Sequence, residues 1–339
     1  MFQEIREQPE ALSKILDEGW GPVRSVARTL HTEGLRFVML AARGTSDNAA
    51  LHAKCLFEVR LGVPTALASP SAFTLYESNM HLEDVLVIGI SQSGESKDVL
   101  KTIRRARELG AATLSVTNNG DSPLARAAEA HFWLRAGKEE SVAATKTYTA
   151  ELLLLYLLVA ALDGTGEPEP PVKQLPQRTR RMLETGWGGT SRYRYAEYMT
   201  VVSRGYNFAT AKEAALKLME TTYVVAEAFS EADLRHGPMA MIGQDFPVVL
   251  IVPPGEARRN MDSLPRCLSA RGAEILVIGD SPGLIREAPA GFLVSFSFPE
   301  MLSPIPYALP VQLLAHDMAE LKGVNPDAPR GLSKVTESW

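Results

Sequence analysis

Residues 85–96, VLVIGISQSGES, decide the fold of this chain. Their first six residues form an apolar run that predicts a buried β-strand, and residues 98–103 predict a helix. Three serines, a glutamine and a glycine therefore lie at a strand-to-helix turn. Free backbone N–H groups and the positive end of a helix dipole favour a phosphate at such a turn. A serine-rich helix cap is the simpler alternative, and it stays open from this turn alone.

The composition indicates a soluble globular protein. The 339 residues are 45% hydrophobic and 22% charged, and the formal net charge is -5. This charge argues against a general nucleic-acid binder, and the basic clusters at 104–107 and 178–181 are most simply solvated helix faces. Cys55 and Cys267 are the only cysteines, too few for a disulfide framework. We therefore expect a reducing, cytoplasmic compartment.

No segment of the sequence predicts export or a membrane span. The first six residues are polar and lack an apolar core segment. The longest apolar run, residues 152–162, is shorter than the ~20 residues that a membrane span requires. We interpret this run as a helix buried inside the protein.

The two halves of the chain repeat the same order of strands. Four strand-like segments lie at 35–42, 85–90, 112–116 and 131–134, and four more lie at 198–203, 247–252, 274–278 and 291–296. Landmarks match as well: Arg43-Gly44 and Arg204-Gly205 are 161 residues apart. Two copies of one α/β domain explain these matches better than chance.

Helical segments between the strands predict the architecture of each copy. Examples lie at 49–61, 97–109, 212–222 and 258–271. This alternation predicts a parallel sheet with helices on both faces, which binds ligands at the carboxyl ends of its strands. We expect an N-terminal helical segment at 1–30, a first copy at 31–165, a linker and helix at 166–190, a second copy at 191–324 and a C-terminal tail at 325–339.

The two copies differ at the turn that would bind phosphate. Where the first copy has SQSGES, the second has VPPGEA at residues 252–257. The prolines remove backbone N–H donors and the serines are gone. We therefore expect phosphate binding in the first copy only.

Ionisable groups concentrate in the second copy. Glu213, Lys217 and Glu220 are spaced to share one helix face, and taken alone they are most simply a solvated salt-bridge row. His236 precedes Gly-Pro and should lie on a turn, where an exposed histidine is the plain alternative.

Two lysines outside the second copy are also candidates. Lys334 lies on the tail and Lys146 at the start of the apolar helix, and for both the plain alternative is a surface charge.

Six motifs in order resemble those of the tandem sugar isomerase (SIS) domains, as in the isomerase half of glucosamine-6-phosphate synthase. The resemblance covers nearly the whole chain. It rests on residues 43–46, 91–96, 142–146, 213–220, 234–238 and 329–334. Each motif alone is weak, but the six together are a strong signal. The resemblance implies an α/β protein with two tandem SIS domains, each a flavodoxin-like three-layer sandwich.

The resemblance also implies a role for each matching residue. Glu220 would move a proton between C1 and C2 of the sugar, His236 would assist ring opening, Lys217 would lie beside Glu220, and Lys334 would contact the open-chain sugar or form an imine with it. The remaining positions would hold the phosphate (Thr45, Ser46, Ser91, Gln92, Ser93 and Ser96) or line the sugar pocket (Gly44, Val142, Ala144 and Glu213).

The chemistry suits these residue types independently of the resemblance. An aldose–ketose shift needs a carboxylate that takes and returns one proton, and ring opening needs an acid–base group that titrates near neutrality. A lysine can stabilise the enolate charge or act covalently. No metal or other cofactor is required, and the sequence shows no convincing set of metal ligands.

Two departures from the synthase favour a stand-alone branch of the family. The chain begins Met1-Phe2 and offers no leading cysteine for a glutaminase, so we expect no ammonia release from glutamine. The ending after Lys334 is also spaced differently. That branch includes glucosamine-6-phosphate deaminases and deglycases of 6-phosphorylated fructosamines.

Four functions stay open. The leading hypothesis is conversion of glucosamine 6-phosphate to fructose 6-phosphate and ammonia. The alternatives are a deglycase of 6-phosphofructose–amine adducts, ammonia-dependent synthesis of glucosamine 6-phosphate, and a non-catalytic phosphosugar sensor. The resemblance further implies a homodimer with its active site near the interface, and we expect a small phosphosugar, no nucleic acid and no membrane as partners.

Overall fold

The structure is a computed structural model that describes residues 1–30 and 35–334. Residues 31–34, where the predicted first copy begins, and 335–339, at the end of the predicted tail, lie outside the described residues. The chain divides into two compact units. The first unit comprises Glu10–Glu139, Lys146–Lys173 and the residues from Ser333 onward; the second comprises Met1–Pro9, Glu140–Thr145 and Gln174–Leu332.

Helical turns open the chain. They are α1 (Phe2–Arg6), α2 (Gln8–Lys14), a π-helical turn (Ile15–Gly19) and α3 (Trp20–Thr29). The first sheet follows, built from β1 (Phe37–Ala41), α4 (Thr45–Arg60), β2 (Thr65–Leu67), α5 (Pro70–Thr74), β3 (Val85–Ile90), α6 (Lys97–Glu108), β4 (Ala112–Thr117), α7 (Pro123–Ala127) and β5 (Ala130–Trp133). Helices α8 (Lys146–Leu162), α9 (Pro170–Lys173) and α10 (Leu175–Met182) come next.

The second sheet repeats this pattern. Its elements are β6 (Tyr198–Ser203), α11 (Phe208–Thr222), β7 (Val225–Ser230), α12 (Glu231–Arg235), β8 (Pro247–Val252), α13 (Arg258–Met261), α14 (Leu264–Ser269), β9 (Glu274–Gly279), α15 (Pro282–Glu287), β10 (Ala290–Leu293) and α16 (Pro304–Lys322). Short 3-10 turns lie at Thr190–Tyr193, Gly205–Asn207, Pro238–Met241 and Glu300–Leu302.

The two sheets have the same topology, which confirms the predicted repeat. The strand order is β2-β1-β3-β4-β5 in the first sheet and β7-β6-β8-β9-β10 in the second. All the pairings between these strands are parallel. This is the flavodoxin-like doubly wound order. The central strands β3 and β8 are buried at every position, because helices cover both faces of a parallel sheet.

The apolar run at 152–162 is a buried helix, as its length predicts. It belongs to α8, in which every residue except Ala161 is buried. A helix that is apolar all round packs inside a protein, because it has no face that gains from contact with water. Among residues 1–30 and 35–334, no helix has the length and apolar character needed to cross a membrane.

The structure also differs from the sequence predictions. Each sheet has five strands rather than four, since β2 and β7 were not predicted. The helix expected at 258–271 is two short helices, and Pro265 lies at the start of the second. A 19-residue helix, α16, continues through Pro310 and was not predicted either.

Candidate functional site

The predicted phosphate turn lies at the carboxyl edge of the first sheet. Residues 91–96 connect β3 to α6, and Ser96 is the residue that precedes the first turn of that helix. The Ser91 hydroxyl accepts a hydrogen bond from the Gly94 N–H (3.2 Å), and the Ser93 hydroxyl accepts one from the Glu95 N–H (3.2 Å). Each hydroxyl is thus oriented by the backbone as an acceptor, and its own hydrogen can be donated to an anion.

Gly94 gives the turn its shape. Its φ is +69°, in the left-handed region, and an added Cβ would lie 2.1 Å from the Ser122 Oγ. The Gly94 carbonyl accepts the Leu124 N–H (3.2 Å). Only glycine meets both requirements, because a side chain there would be strained and would also clash.

The first Arg-Gly turn lies beside the serine turn. It follows β1, which pairs with β3 so that Ala41 is opposite Gly89. The Arg43 guanidinium contacts the buried Asp98 carboxylate at the start of α6 (Nη2–Oδ2 2.6 Å). Gly44, with φ +57°, then directs the chain into α4, whose first residues are Thr45 and Ser46. The sheet and this ion pair therefore bring the two predicted phosphate motifs to one edge of the first unit.

Ser46 has a partner that the sequence did not reveal. Its hydroxyl donates to the buried carboxylate of Glu151 on α8 (2.8 Å). The Ser46 hydrogen is therefore directed at Glu151, so this hydroxyl offers lone pairs rather than a hydrogen to the crevice.

Gln92 opens into a cavity of 560 Å³ in the first unit, which Asn118, Trp133, Arg135 and Glu139 also line. Asn118 connects its walls: its backbone N–H donates to the Gln92 carbonyl (2.9 Å) and its amide to the Gly137 carbonyl (2.7 Å). Lys334 contacts Glu139 (Nζ–Oε2 3.0 Å). The structure thus places Lys334 in the unit that holds the serine turn, on a residue that lines the same cavity as Gln92.

The equivalent turn of the second unit contains an internal carboxylate. Glu300 accepts hydrogen bonds from the backbone N–H groups of Glu256 (2.6 Å) and Ala257 (3.2 Å). A Cβ on Gly255 would lie 2.2 Å from the Glu300 Oε2, and one on Gly205 would lie 3.3 Å from its Oε1. Glu300 therefore occupies the crevice between the second Arg-Gly turn and the turn that replaces the serines.

Glu213, Lys217 and Glu220 share one face of α11, as their spacing predicts, but this face is not solvated. The Lys217 side chain is fully buried and contacts Glu220, and its Nζ is 3.6 Å from the Glu213 Oε1. The Glu213 side chain is also fully buried, whereas that of Glu220 is 23% exposed. The interpretation as a solvated row is therefore wrong, and Glu220 is the member that a ligand can reach.

The remaining predicted residues differ in exposure. His236 is exposed where α12 ends, and within the described part of the second unit no hydrogen bond or ion pair joins its ring to α11. Val142 and Ala144 are half-buried and belong to the second unit. Lys146 is buried at the start of α8, so its interpretation as a surface charge is wrong.

Three acidic residues of these clusters were missed by the sequence analysis: Glu139, Glu151 and Glu300. Each is far in sequence from its partner, so no local spacing indicated it. Within residues 1–30 and 35–334, no three His, Cys, Asp or Glu side chains form a group that could hold a metal ion.

Two parallel sheets of identical strand order define the chain as a tandem α/β protein. The family model that matches the chain is that of the SIS domain, at residues 36–161 and 194–319. The chain therefore belongs to the SIS domain family and carries the domain twice.

The chain is also similar in sequence to a curated protein that is longer than it. The chain is 36% identical over 340 residues to the glutamine–fructose-6-phosphate aminotransferase [isomerizing] of Methanothermobacter thermautotrophicus, covering 98% of this chain and 56% of that protein. The chain thus spans little more than half the length of this curated relative.

Two solved structures are also similar. The C-terminal domain of glucosamine-fructose-6-phosphate aminotransferase from Francisella tularensis is 26% identical with a TM-score of 0.82, covering 97% of this chain and 98% of that one. A protein of Silicibacter pomeroyi DSS-3, provisionally named a phosphosugar isomerase, is 28% identical with a TM-score of 0.87, covering 96% and 98%.

Proposed function

We propose that this chain converts a 6-phosphorylated aminosugar, glucosamine 6-phosphate, to fructose 6-phosphate and ammonia. The substrate class is supported by the names of its SIS relatives, which refer to fructose 6-phosphate, glucosamine and phosphosugars. The direction of the reaction and the identity of the amine go beyond what these names support, and they are part of our proposal.

One observation carries the assignment of the phosphate to the serine turn. The two sheets have the same topology, and in the second unit an internal carboxylate, that of Glu300, fills the equivalent crevice. This crevice of the fold therefore suits an oxyanion. In the first unit the crevice has serine hydroxyls instead of prolines, which supports a phosphate there, held by Thr45, Ser91, Gln92, Ser93 and Ser96.

Glu220 is the group we assign to proton transfer. Its carboxylate is partly exposed, while the buried Lys217 beside it supplies a compensating positive charge. After ring opening, which we assign to His236, Glu220 removes the C2 proton of the aldehyde form and returns it to C1. The product carries an imine at C2, and water hydrolyses it to the ketose and ammonia.

The similarity to the aminotransferase favours a second candidate, the reverse reaction. Ammonia and fructose 6-phosphate would then form glucosamine 6-phosphate on the same residues, because a catalyst lowers the barrier in both directions. We do not propose that this chain uses glutamine as its source of ammonia. We also propose a homodimer, which sedimentation of the purified protein tests.

The test is to incubate the purified protein with glucosamine 6-phosphate and to measure ammonia and fructose 6-phosphate in parallel, and then to run the reverse mixture. Equal appearance of both products supports the proposal. Net formation of glucosamine 6-phosphate alone would favour the second candidate. If neither reaction occurs but glucosamine 6-phosphate raises the melting temperature, the reaction is wrong; fructosamine 6-phosphate adducts then test the deglycase, and the sensor remains if they are inert.

A further inference from the structure

We propose that Glu139 is the positioning residue for Lys334: it holds the lysine ammonium on the first unit, at a residue that shares a cavity with Gln92 of the serine turn. The effect of Glu139 on catalysis rests on the proposed function. The anchoring itself is a separate claim about the free protein.

Glu139 is a fixed, fully buried carboxylate. Its side chain has no exposed surface, and it accepts hydrogen bonds from the Thr147 backbone N–H (3.2 Å) and the Thr147 hydroxyl (2.6 Å). Thr147 is in the first turn of the 17-residue helix α8, where the helix dipole favours a negative charge. The carboxylate is therefore held in place by the helix start, independently of Lys334.

Lys334 binds to this preformed anion. Its Nζ lies 3.0 Å from the Glu139 Oε2, and its side chain is only 25% exposed. The two residues are 195 positions apart in the chain, so the contact fixes the end of the described chain on the first unit. A buried carboxylate needs a nearby positive charge to offset its lost hydration. Breaking this ion pair should therefore cost more stability than breaking an exposed pair.

The position of the Glu139–Lys334 pair connects it with the proposed substrate. Glu139 and Gln92 line the same cavity of the first unit, and Gln92 belongs to the turn that we assign to the phosphate. The ammonium of Lys334 therefore lies on a residue of the cavity wall, and we infer that the sugar extending from that phosphate comes within its reach. Because the ion pair uses the protonated amine, Lys334 acts there by charge and hydrogen bonding; an imine would require it first to leave Glu139 and lose a proton.

The central variant is Glu139→Gln, compared with Lys334→Met, the double variant and a matched control. The amide of glutamine can still accept from Thr147, so the helix start is kept while the charge is lost. Glu167→Gln is the control, because the Glu167–Lys173 pair lies in the same unit at a similar distance (2.9 Å) but is highly exposed. Thr147→Val tests the helix cap separately, since it keeps the charge of Glu139.

The first readout needs no substrate: hydrogen exchange of the peptide that contains Lys334. We expect Glu139→Gln and Lys334→Met each to accelerate exchange about 10-fold or more, the double variant to add little, and Glu167→Gln to change nothing. Unchanged exchange in Glu139→Gln, or additive effects of the two changes, would overturn the anchoring. Lys334→Met keeps this test valid if Glu139→Gln fails to fold.

The second readout is kinetic, on whichever phosphosugar reaction the wild type catalyses. We expect Glu139→Gln to lower kcat about 10- to 100-fold with a KM close to that of the wild type, and Thr147→Val to lower the melting temperature with a smaller effect on kcat. Equal loss of kcat in both variants would reduce Glu139 to a structural role. A wild type without activity would contradict the proposed function, whereas the exchange measurement would still decide the anchoring.

Discussion

The carboxylate of Glu300 accepts a 2.6 Å hydrogen bond from the backbone N–H of Glu256, at the turn where the second SIS domain has lost its serines. The same carboxylate reaches the next N–H, that of Ala257. These are donors that a bound anion would otherwise use. The second domain therefore satisfies the free N–H groups of this turn with a carboxylate of its own.

Replacing Glu300 should destabilise the second unit. We expect Glu300→Ala to lower the free energy of unfolding by about 1–3 kcal/mol, because two backbone N–H groups lose a charged acceptor. Urea denaturation measures the change. Glu256→Gln is the control, since the Glu256 side chain is 78% exposed and pairs with the equally exposed Arg259, three residues further along the chain. Equal stability of Glu300→Ala and the wild type would contradict this account.

Gly94→Ala should damage the first unit and its phosphate turn together. A left-handed φ and a Cβ only 2.1 Å from the Ser122 Oγ predict a cost of about 1–3 kcal/mol or more. The increase in melting temperature on adding glucosamine 6-phosphate should also disappear. Gly120→Ala is the matched control, because a Cβ there has its nearest neighbour at 3.9 Å. Normal stability and binding in Gly94→Ala would show that the turn tolerates a side chain.

The sequence predicted the repeat and the central strands because buried parallel strands are continuous apolar runs, as in β3 and β8. It missed β2, which has three residues, and β7, whose alternating exposure is typical of an edge strand. It missed α16 because prolines at 304, 306 and 310 normally argue against a helix.

The candidate site was predictable only where its residues are adjacent in sequence. The serine turn and the α11 spacing were readable in this way, but spacing alone does not tell which helix face is buried. Lys217 therefore seemed solvated, although it is fully buried. Glu139 contacts Lys334, which is 195 positions away, and Glu300 contacts Glu256, which is 44 positions away. Contacts between such distant residues depend on the tertiary fold.

His131 should make stability depend on pH. Burial lowers the pKa of His131 below its ordinary value, and its ring nitrogen lies 3.0 Å from the Thr117 hydroxyl. The unfolded chain then binds a proton more readily, so stability falls as pH drops below about 6.5. His131→Asn should flatten this decline in urea titrations at about pH 7.5 and about pH 5. An unchanged decline would assign it to other groups.

Lys217→Met should be strongly destabilising. The substitution keeps an apolar stem but removes the positive charge from beside the carboxylates of Glu213 and Glu220, at an expected cost of about 3–5 kcal/mol. Adding Glu213→Gln should recover part of this loss, since it removes one buried charge. Lys212→Met is the control, because Lys212 is 42% exposed and lies 3.9 Å from Glu227. A loss no larger than that of the control would mean that the cluster is not held by its charges.

Glu220→Gln should separate chemistry from binding. A glutamine keeps the size of the side chain and can still contact Lys217, but it cannot take a proton from C2 of the sugar. We expect kcat to fall about 100-fold or more, while the increase in melting temperature on adding glucosamine 6-phosphate is kept, because the phosphate is assigned to other residues, those of the serine turn. Glu227→Gln, a change at a side chain that is 62% exposed, should leave both values unchanged. Loss of binding together with kcat would make Glu220 a structural residue, and unchanged turnover would remove it from the mechanism.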